Sequence, residues 1–179
     1  MKSLKETKTK SLVLAAVLVT LYVILDQITL FRMPQGGSVT AFSMLVISLS
    51  GYLLGTKMGI MTGVAAGLLD LIFNPFVIHP LQLLLDYPLA VGALGLSGVF
   101  RDKKHGLITG YVFGVFLRYI CVFTSGVIFF SQYTPKGFNP ITWSFYYNIL
   151  YVGAEALVTV AVLFIPPLRV AIDRLKKEI

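Results

Sequence analysis

Charge is scarce in this sequence. Only 13% of its 179 residues are Asp, Glu, Lys or Arg, about half the ~25% typical of a soluble domain, so the chain lacks the polar surface that a water-exposed fold needs. Cysteine is nearly missing as well. Cys121 stands alone, which excludes a disulfide-stapled secreted scaffold and suits a packing role. His79 and His105 are the two histidines, and they fall in separate loops, so no two-histidine metal site is available and both read as loop or capping residues. No G-x-x-x-x-G-K-[ST] loop is present, which excludes ATP hydrolysis by a P-loop. There is also no nucleophile–base pair, and no internal repeat or low-complexity tract beyond a Lys-rich N-terminus. An enzyme is not the reading, and neither is a cofactor protein.

Apolar residues are abundant. They make up 56% of the chain, with a mean hydropathy of +0.83, and at roughly 20 apolar residues per helical span there is room for about six spans and no separate soluble domain. The runs predict helices at about residues 11–31, 39–56, 58–74, 79–100, 106–131 and 141–168. The expectation is therefore an all-α integral membrane protein of six transmembrane helices, a single domain over residues 1–179. The first run is too long for a signal-peptide core and lacks a small-residue cleavage site, so it reads as a membrane anchor.

The net charge of +7 is a matter of sidedness. Twelve of the 15 Lys and Arg residues fall on one side of these spans: Lys2, Lys5, Lys8 and Lys10 before the first, Lys57 after the second, Arg101, Lys103 and Lys104 after the fourth, and Arg169, Arg174, Lys176 and Lys177 after the sixth. Arg32 and Lys136 face the other side, and Arg118 lies within a span. By the positive-inside rule both termini are cytoplasmic, with residues 1–10 a basic cytoplasmic N-terminus. Nucleic acid is excluded as a partner; the bilayer is the partner instead.

Ionisable groups inside hydrocarbon cost at least about 2.5–3.5 kcal/mol each and are usually paired or functional. Five occur here: Asp26, Asp70, Asp86, Arg118 and Glu155. Asp26 and Asp70 sit at outer span ends, where they either reach the headgroups or line a cavity. Arg118 and Glu155, near mid-membrane, are expected to form an ion pair. Asp86 has fewer explanations, because it lies in the apolar stretch Leu83-Leu84-Leu85-Asp86-Tyr87-Pro88, and Pro88 leaves the carbonyl of Leu84 without its helical donor. Four carboxylates against one guanidinium suit a cationic ligand entering from outside. Aromatic residues gather at the same depth. Trp143 and Asn148 are five apart, about 140 degrees around a helix, so one wide cavity can touch both. An aromatic face beside a carboxylate fits a flat, positively charged heterocycle, through stacking, cation–π attraction and a charge-assisted hydrogen bond.

At these residues the sequence resembles the ThiT (YuaJ) family, the thiamine-binding substrate components (S-components) of energy-coupling factor (ECF) transporters. The resemblance runs through residues 32–40, Arg-Met-Pro-Gln-Gly-Gly-Ser-Val-Thr, then Gln82 to Pro88, Leu96 to Phe100, Arg118-Tyr119, Ser125 to Tyr133, and Asn148. It implies a multi-pass protein of the bacterial plasma membrane, without ATPase or enzymatic activity, that binds thiamine from outside in a pocket in the outer half. Its partners would be an ECF transmembrane coupling subunit and two cytoplasmic ATPase subunits. Carried over by residue, Asp86 takes the thiamine cation with Tyr87 beside it, Asn148 bonds the aminopyrimidine, and Phe130 and Trp143 stack on the rings. Gly126 lets the ligand approach its helix, and the Gly36-Gly37 loop is the lid. Val122 stands where the family has a pocket histidine, a departure that points to weaker thiamine binding or to a related pyrimidine or thiazole ligand. Ser11/Ala15 and Ala16/Thr20 keep a small-residue face on the first helix for packing against another helix. The residues by themselves also leave open a structural membrane protein.

Overall fold

The computed structural model describes residues 4–179, with side chains from Lys8 onward; Lys2 and the side chain of Lys5 lie outside the described residues. Helices dominate: α1 (Leu4–Gln27), α2 (Ser43–Leu54), α3 (Thr56–Phe73), α4 (Pro80–Phe100), α5 (Gly106–Phe129), α6 (Pro140–Leu163) and α7 (Pro166–Glu178). Between α1 and α2 a two-stranded antiparallel hairpin, β1 (Thr29–Arg32) and β2 (Ser38–Thr40), folds around a 3₁₀ turn at Pro34–Gly36.

Among the described residues five helices are long and apolar enough to cross a bilayer: Lys8–Gln27 within α1, α3, α4, α5 and α6. The remaining apolar helix among them, α2, has 12 residues and is about 18 Å long at 1.5 Å per residue, shorter than a hydrocarbon core of about 30 Å, yet it runs from the hairpin to the Gly55 turn and so links the same two ends as the longer helices. Its composition has a different cause from that of the others. Nearly every residue of α2 is buried, because α1, α3, α4 and α5 all pack around it. Tyr22, Ile47, Leu94 and Tyr111 meet in this core with almost no exposed surface.

Close backbone contact holds α2, α3 and α4 together. A Cβ added at Gly95 would lie 2.2 Å from the carbonyl carbon of Gly59, and one added at Gly59 would lie 2.5 Å from Cα of Gly51. Glycine at these three sites brings the helix axes closer than any side chain allows. Ser97 Oγ bridges the same contact by donating to the carbonyl of Ser48 at 2.6 Å.

Three expected boundaries are corrected. The first helix ends at Gln27 rather than 31 and the second begins at Ser43 rather than 39, because residues 29–32 pair with 38–40 in the register Thr29↔Thr40, Phe31↔Val39 and Arg32↔Ser38. A short apolar run with Thr, Phe and Val suits a strand as well as a helix end, and periodicity does not separate them. The last expected helix, 141–168, is two. α6 stops at Leu163, Ile165 is extended (φ −69°, ψ 114°), and Pro166 opens α7. Pro166 and Pro167 lack the N–H groups that would continue the ladder, and a residue before proline is pushed out of the helical region. In α4, by contrast, Pro88 is absorbed. The helix widens into a π turn over Leu85–Leu89, with the N–H of Ala90 reaching the carbonyl of Leu85.

The two ends of the molecule differ. At one end lie the Gly55 turn, residues 101–105 and α7. α7 is fastened there by Tyr52 Oη donating to Asp173 Oδ1 at 2.8 Å, and by Lys176, which pairs with Asp102 at 3.2 Å and donates to the carbonyl of Arg101. The hairpin and the loops after α3 and α5 occupy the other end.

Candidate functional site

A cavity of about 430 Å³ opens at the hairpin end, a volume within the usual range for small-molecule sites. Its walls come from the hairpin, α1, α3, α4, α5 and α6. The structure places all eight of the sequence-derived site residues on that wall: Asp86 and Tyr87 from α4, Val122 and Gly126 from α5, Phe130 just beyond it, Trp143 and Asn148 from α6, and Gly37 from the hairpin turn.

Asp86 sits in the π turn of α4. Its Oδ2 accepts from Gln82 Nε2 at 2.6 Å, and Gln82 is itself held by the carbonyl of Phe76 and the N–H of Ile78. Tyr87 turns its hydroxyl to the loop after α3, donating to the carbonyl of Asn74 and accepting from the N–H of Phe76, both at 2.8 Å. Phe76 then stacks on Phe130, centroids 5.9 Å apart. Asp86 thus presents a carboxylate to the cavity next to an aromatic wall.

On α6 the polar groups form a stripe. Asn148 donates through Nδ2 to the carbonyl and hydroxyl of Ser144, while Tyr151 donates to Asn148 Oδ1 at 2.9 Å. Asn148 is almost fully buried and held on both sides, so its amide has a set orientation toward the cavity. Trp143 lies edge-on to Phe138 and tilted against Tyr147 at 5.7 and 6.0 Å. The hairpin closes over this wall: the N–H of Gly37 donates to Tyr147 Oη at 3.0 Å, and Tyr147 donates in turn to the carbonyl of Pro34. A Cβ on Gly37 would lie 2.7 Å from that hydroxyl. Glycine is needed for the seal.

One sequence-based expectation is overturned here. Arg118 and Glu155 form no ion pair. The Glu155 carboxylate accepts from Thr40 and Met44, whereas Arg118 lines the cavity with Nε and Nη1 buried and without a hydrogen-bond partner. Of the two roles left open for Asp26 and Asp70 the structure shows the cavity: both line it, and Asn74 Nδ2 donates to each at 3.1 Å. Gly126 lines the cavity, and its absent Cβ also lets α5 approach α6, since it would stand 2.2 Å from Ser144 Oγ. Gln82, Asn74, Tyr147 and Tyr151 were given no individual role from sequence. The available signal was spacing, with Gln82 four residues before Asp86 and the buried polar residues 144, 148, 151, 155 and 159 at helical intervals. Among the described residues no group of His, Cys, Asp and Glu is placed to hold a metal. His79 caps α4 by accepting from the N–H of Leu81.

A helical membrane protein with a polar and aromatic cavity partly covered by a hairpin at one end is built to hold a solute, and the comparisons place it in a transport class rather than among enzymes. Residues 12–174 match the family described as Thiamine transporter protein (Thia_YuaJ), and the chain belongs to that family. It is 37% identical over 164 residues to the thiamine transporter ThiT of Bacillus subtilis, covering 83% of this chain and 85% of that protein. Against the thiamine transporter ThiT of Lacticaseibacillus paracasei the identity is 34% over 112 residues, 53% of this chain and 54% of the relative. The fold matches that of ThiT from Listeria monocytogenes with a TM-score of 0.76, covering 95% of this chain and 98% of that one at 22% identity.

Proposed function

We propose that this chain is the substrate-binding membrane subunit of an ECF-type transporter, taking thiamine from outside for uptake powered by a separate coupling subunit and two ATPases. It acts as one membrane domain over residues 1–179 in the bacterial plasma membrane, with six crossings, both termini cytoplasmic and the cavity in the outer half. The observation that carries this reading is the convergence of Asp86, Asn148, Phe130 and Trp143 on one cavity. In it, Asp86 holds the thiazolium charge, Asn148 orients the aminopyrimidine, and the aromatic groups cover the ring faces. The basic turns lie at the far end from the cavity, which supports the sidedness. The exposed apolar surface of α1, including Val13, Val17 and Ile24, supports a partner helix or lipid there.

Val122, buried on the cavity wall, favours a second reading in which the ligand is a pyrimidine or thiazole precursor that needs fewer polar contacts. Titration of the purified chain with thiamine, its phosphates and the two ring fragments separates the readings. Thiamine binds tightest under the first. Trp143 is the single tryptophan, so its emission reports ligand stacking without interference from another indole. In liposomes the chain alone binds but does not concentrate thiamine; ATP-driven uptake without added subunits would refute the division of labour.

A further inference from the structure

Glu155 is almost fully buried about two-thirds of the way along α6, and its carboxylate reaches the root of the hairpin. Oε2 accepts from the N–H of Thr40 at 3.0 Å and from its hydroxyl at 2.8 Å, and Oε1 accepts from the N–H of Met44 at 3.1 Å. The last of these satisfies the first turn of α2, which begins after Phe42 in a left-handed conformation (φ 66°) with no side-chain cap of its own. A helix start left uncapped by its own sequence thus takes its cap from a helix that lies 111 residues away in the chain; the partial positive charge at a helix N-terminus favours a carboxylate there.

The position of this cap matters for the cavity. Glu155 follows Asn148 and Tyr151 on the same buried stripe of α6, so the helix that carries the pocket amide also fixes the point where the hairpin joins α2. The tip of the hairpin is held to α6 by Tyr147. Root and tip are thus fastened to one helix about 12 Å apart along its axis. We propose that Glu155 is a positioning residue that holds the hairpin in its closed register over the cavity, and so sets how slowly a bound solute leaves. The consequence for the solute rests on the functional reading above; the consequence for the hairpin does not.

Glu155→Gln is the direct test. A glutamine offers one acceptor oxygen where three donors need two, and it presents its own N–H groups to one of them. In the full-length chain in detergent or nanodiscs, hydrogen exchange at the amides of Met33 and Gly37 is expected to quicken by about 10-fold or more, while amides inside α3 and α5 keep their rates. Thiamine dissociation, followed by Trp143 emission, is expected to rise by about 10-fold, with association changing less than about 3-fold. Thr40→Val deletes the hydroxyl that donates to Glu155, together with its contact to Ser43 Oγ, and is expected to move the same readouts by about 3- to 10-fold, and Thr40→Ser restores them; this pair decides the matter if Glu155→Gln does not fold. Hairpin amides that exchange at the parental rate in a folded Glu155→Gln or Thr40→Val chain would overturn the proposal, and so would equal acceleration throughout the helices. If the parent fails to bind thiamine while the hairpin still responds, the functional reading falls and the positioning role stands.

Discussion

The two halves of this molecule are built on opposite principles. At the basic end, α2, α3 and α4 meet backbone to backbone through Gly51, Gly59 and Gly95, with no room for a methyl group. At the hairpin end α3 and α4 join α1, α5 and α6 around a cavity of about 430 Å³ lined by carboxylates, amides and aromatic rings. Without a hydrophobic driving force between helices in lipid, close small-residue packing supplies the adhesion. That adhesion lets the other half remain open and polar. Stability and recognition are therefore carried by different residues, and substitutions in the two halves should be separable.

The largest separation is expected at Asp86. Asp86→Asn keeps the shape and deletes the charge; losing one partner of a desolvated charge pair costs about 2–5 kcal/mol, a loss of roughly 30-fold to several thousand-fold in thiamine affinity. Folding should be unaffected, because a buried carboxylate is a cost to the empty protein. Isothermal titration beside a thermal melt checks both halves of the statement, and parental affinity in a folded variant would move the cation site elsewhere.

Gly95→Ala is the mirror experiment. Its Cβ would meet the Gly59 backbone at 2.2 Å, and overpacking of this kind costs about 1–3 kcal/mol or more, so the melting temperature should fall while the molecules that remain folded bind thiamine as the parent does. A large affinity loss without a stability loss would erase the distinction between the halves. Gly37→Ala, at the hairpin, should invert that result. A Cβ there is 2.7 Å from Tyr147 Oη, so the hairpin seal opens and affinity drops by about 10-fold, the equivalent of about 1.4 kcal/mol, with little change in the melt.

Two smaller effects sharpen the contrast. Val122→His returns a polar group to the cavity wall, and a hydrogen bond of about 0.5–1.5 kcal/mol should tighten thiamine binding by up to about 10-fold; no change would favour a ligand lacking that contact. Tyr52→Phe removes the hydroxyl bonded to Asp173 at the far end. It should lower stability by about 1 kcal/mol and leave affinity alone, as chemical denaturation and titration on the same sample will report.

Much of the architecture was legible before any coordinates. Apolar runs located the long helices, because a span in lipid must be continuously apolar and its length is dictated by the bilayer. The asymmetry of Lys and Arg sorted the loops into two groups, and the basic turns at 55–57 and 101–105 do share an end with α7. Asp86 was legible as an exception, a charge with no reason to be where it is except a polar surrounding. What was not legible depended on partners far away in the chain. The apolar composition of α2 is the same whether lipid or other helices surround it, and only its neighbours show that it is a short core helix. Residues 29–32 became a strand because 38–40 were there to pair with them. Arg118 and Glu155 have opposite charges at similar depth, the natural premise for an ion pair, yet the unmet N–H of Met44 and the two donors of Thr40 claimed the carboxylate first. Periodicity and charge are local properties that one segment carries by itself, whereas a hydrogen-bond partner is chosen in three dimensions among every donor that reaches the same buried acceptor.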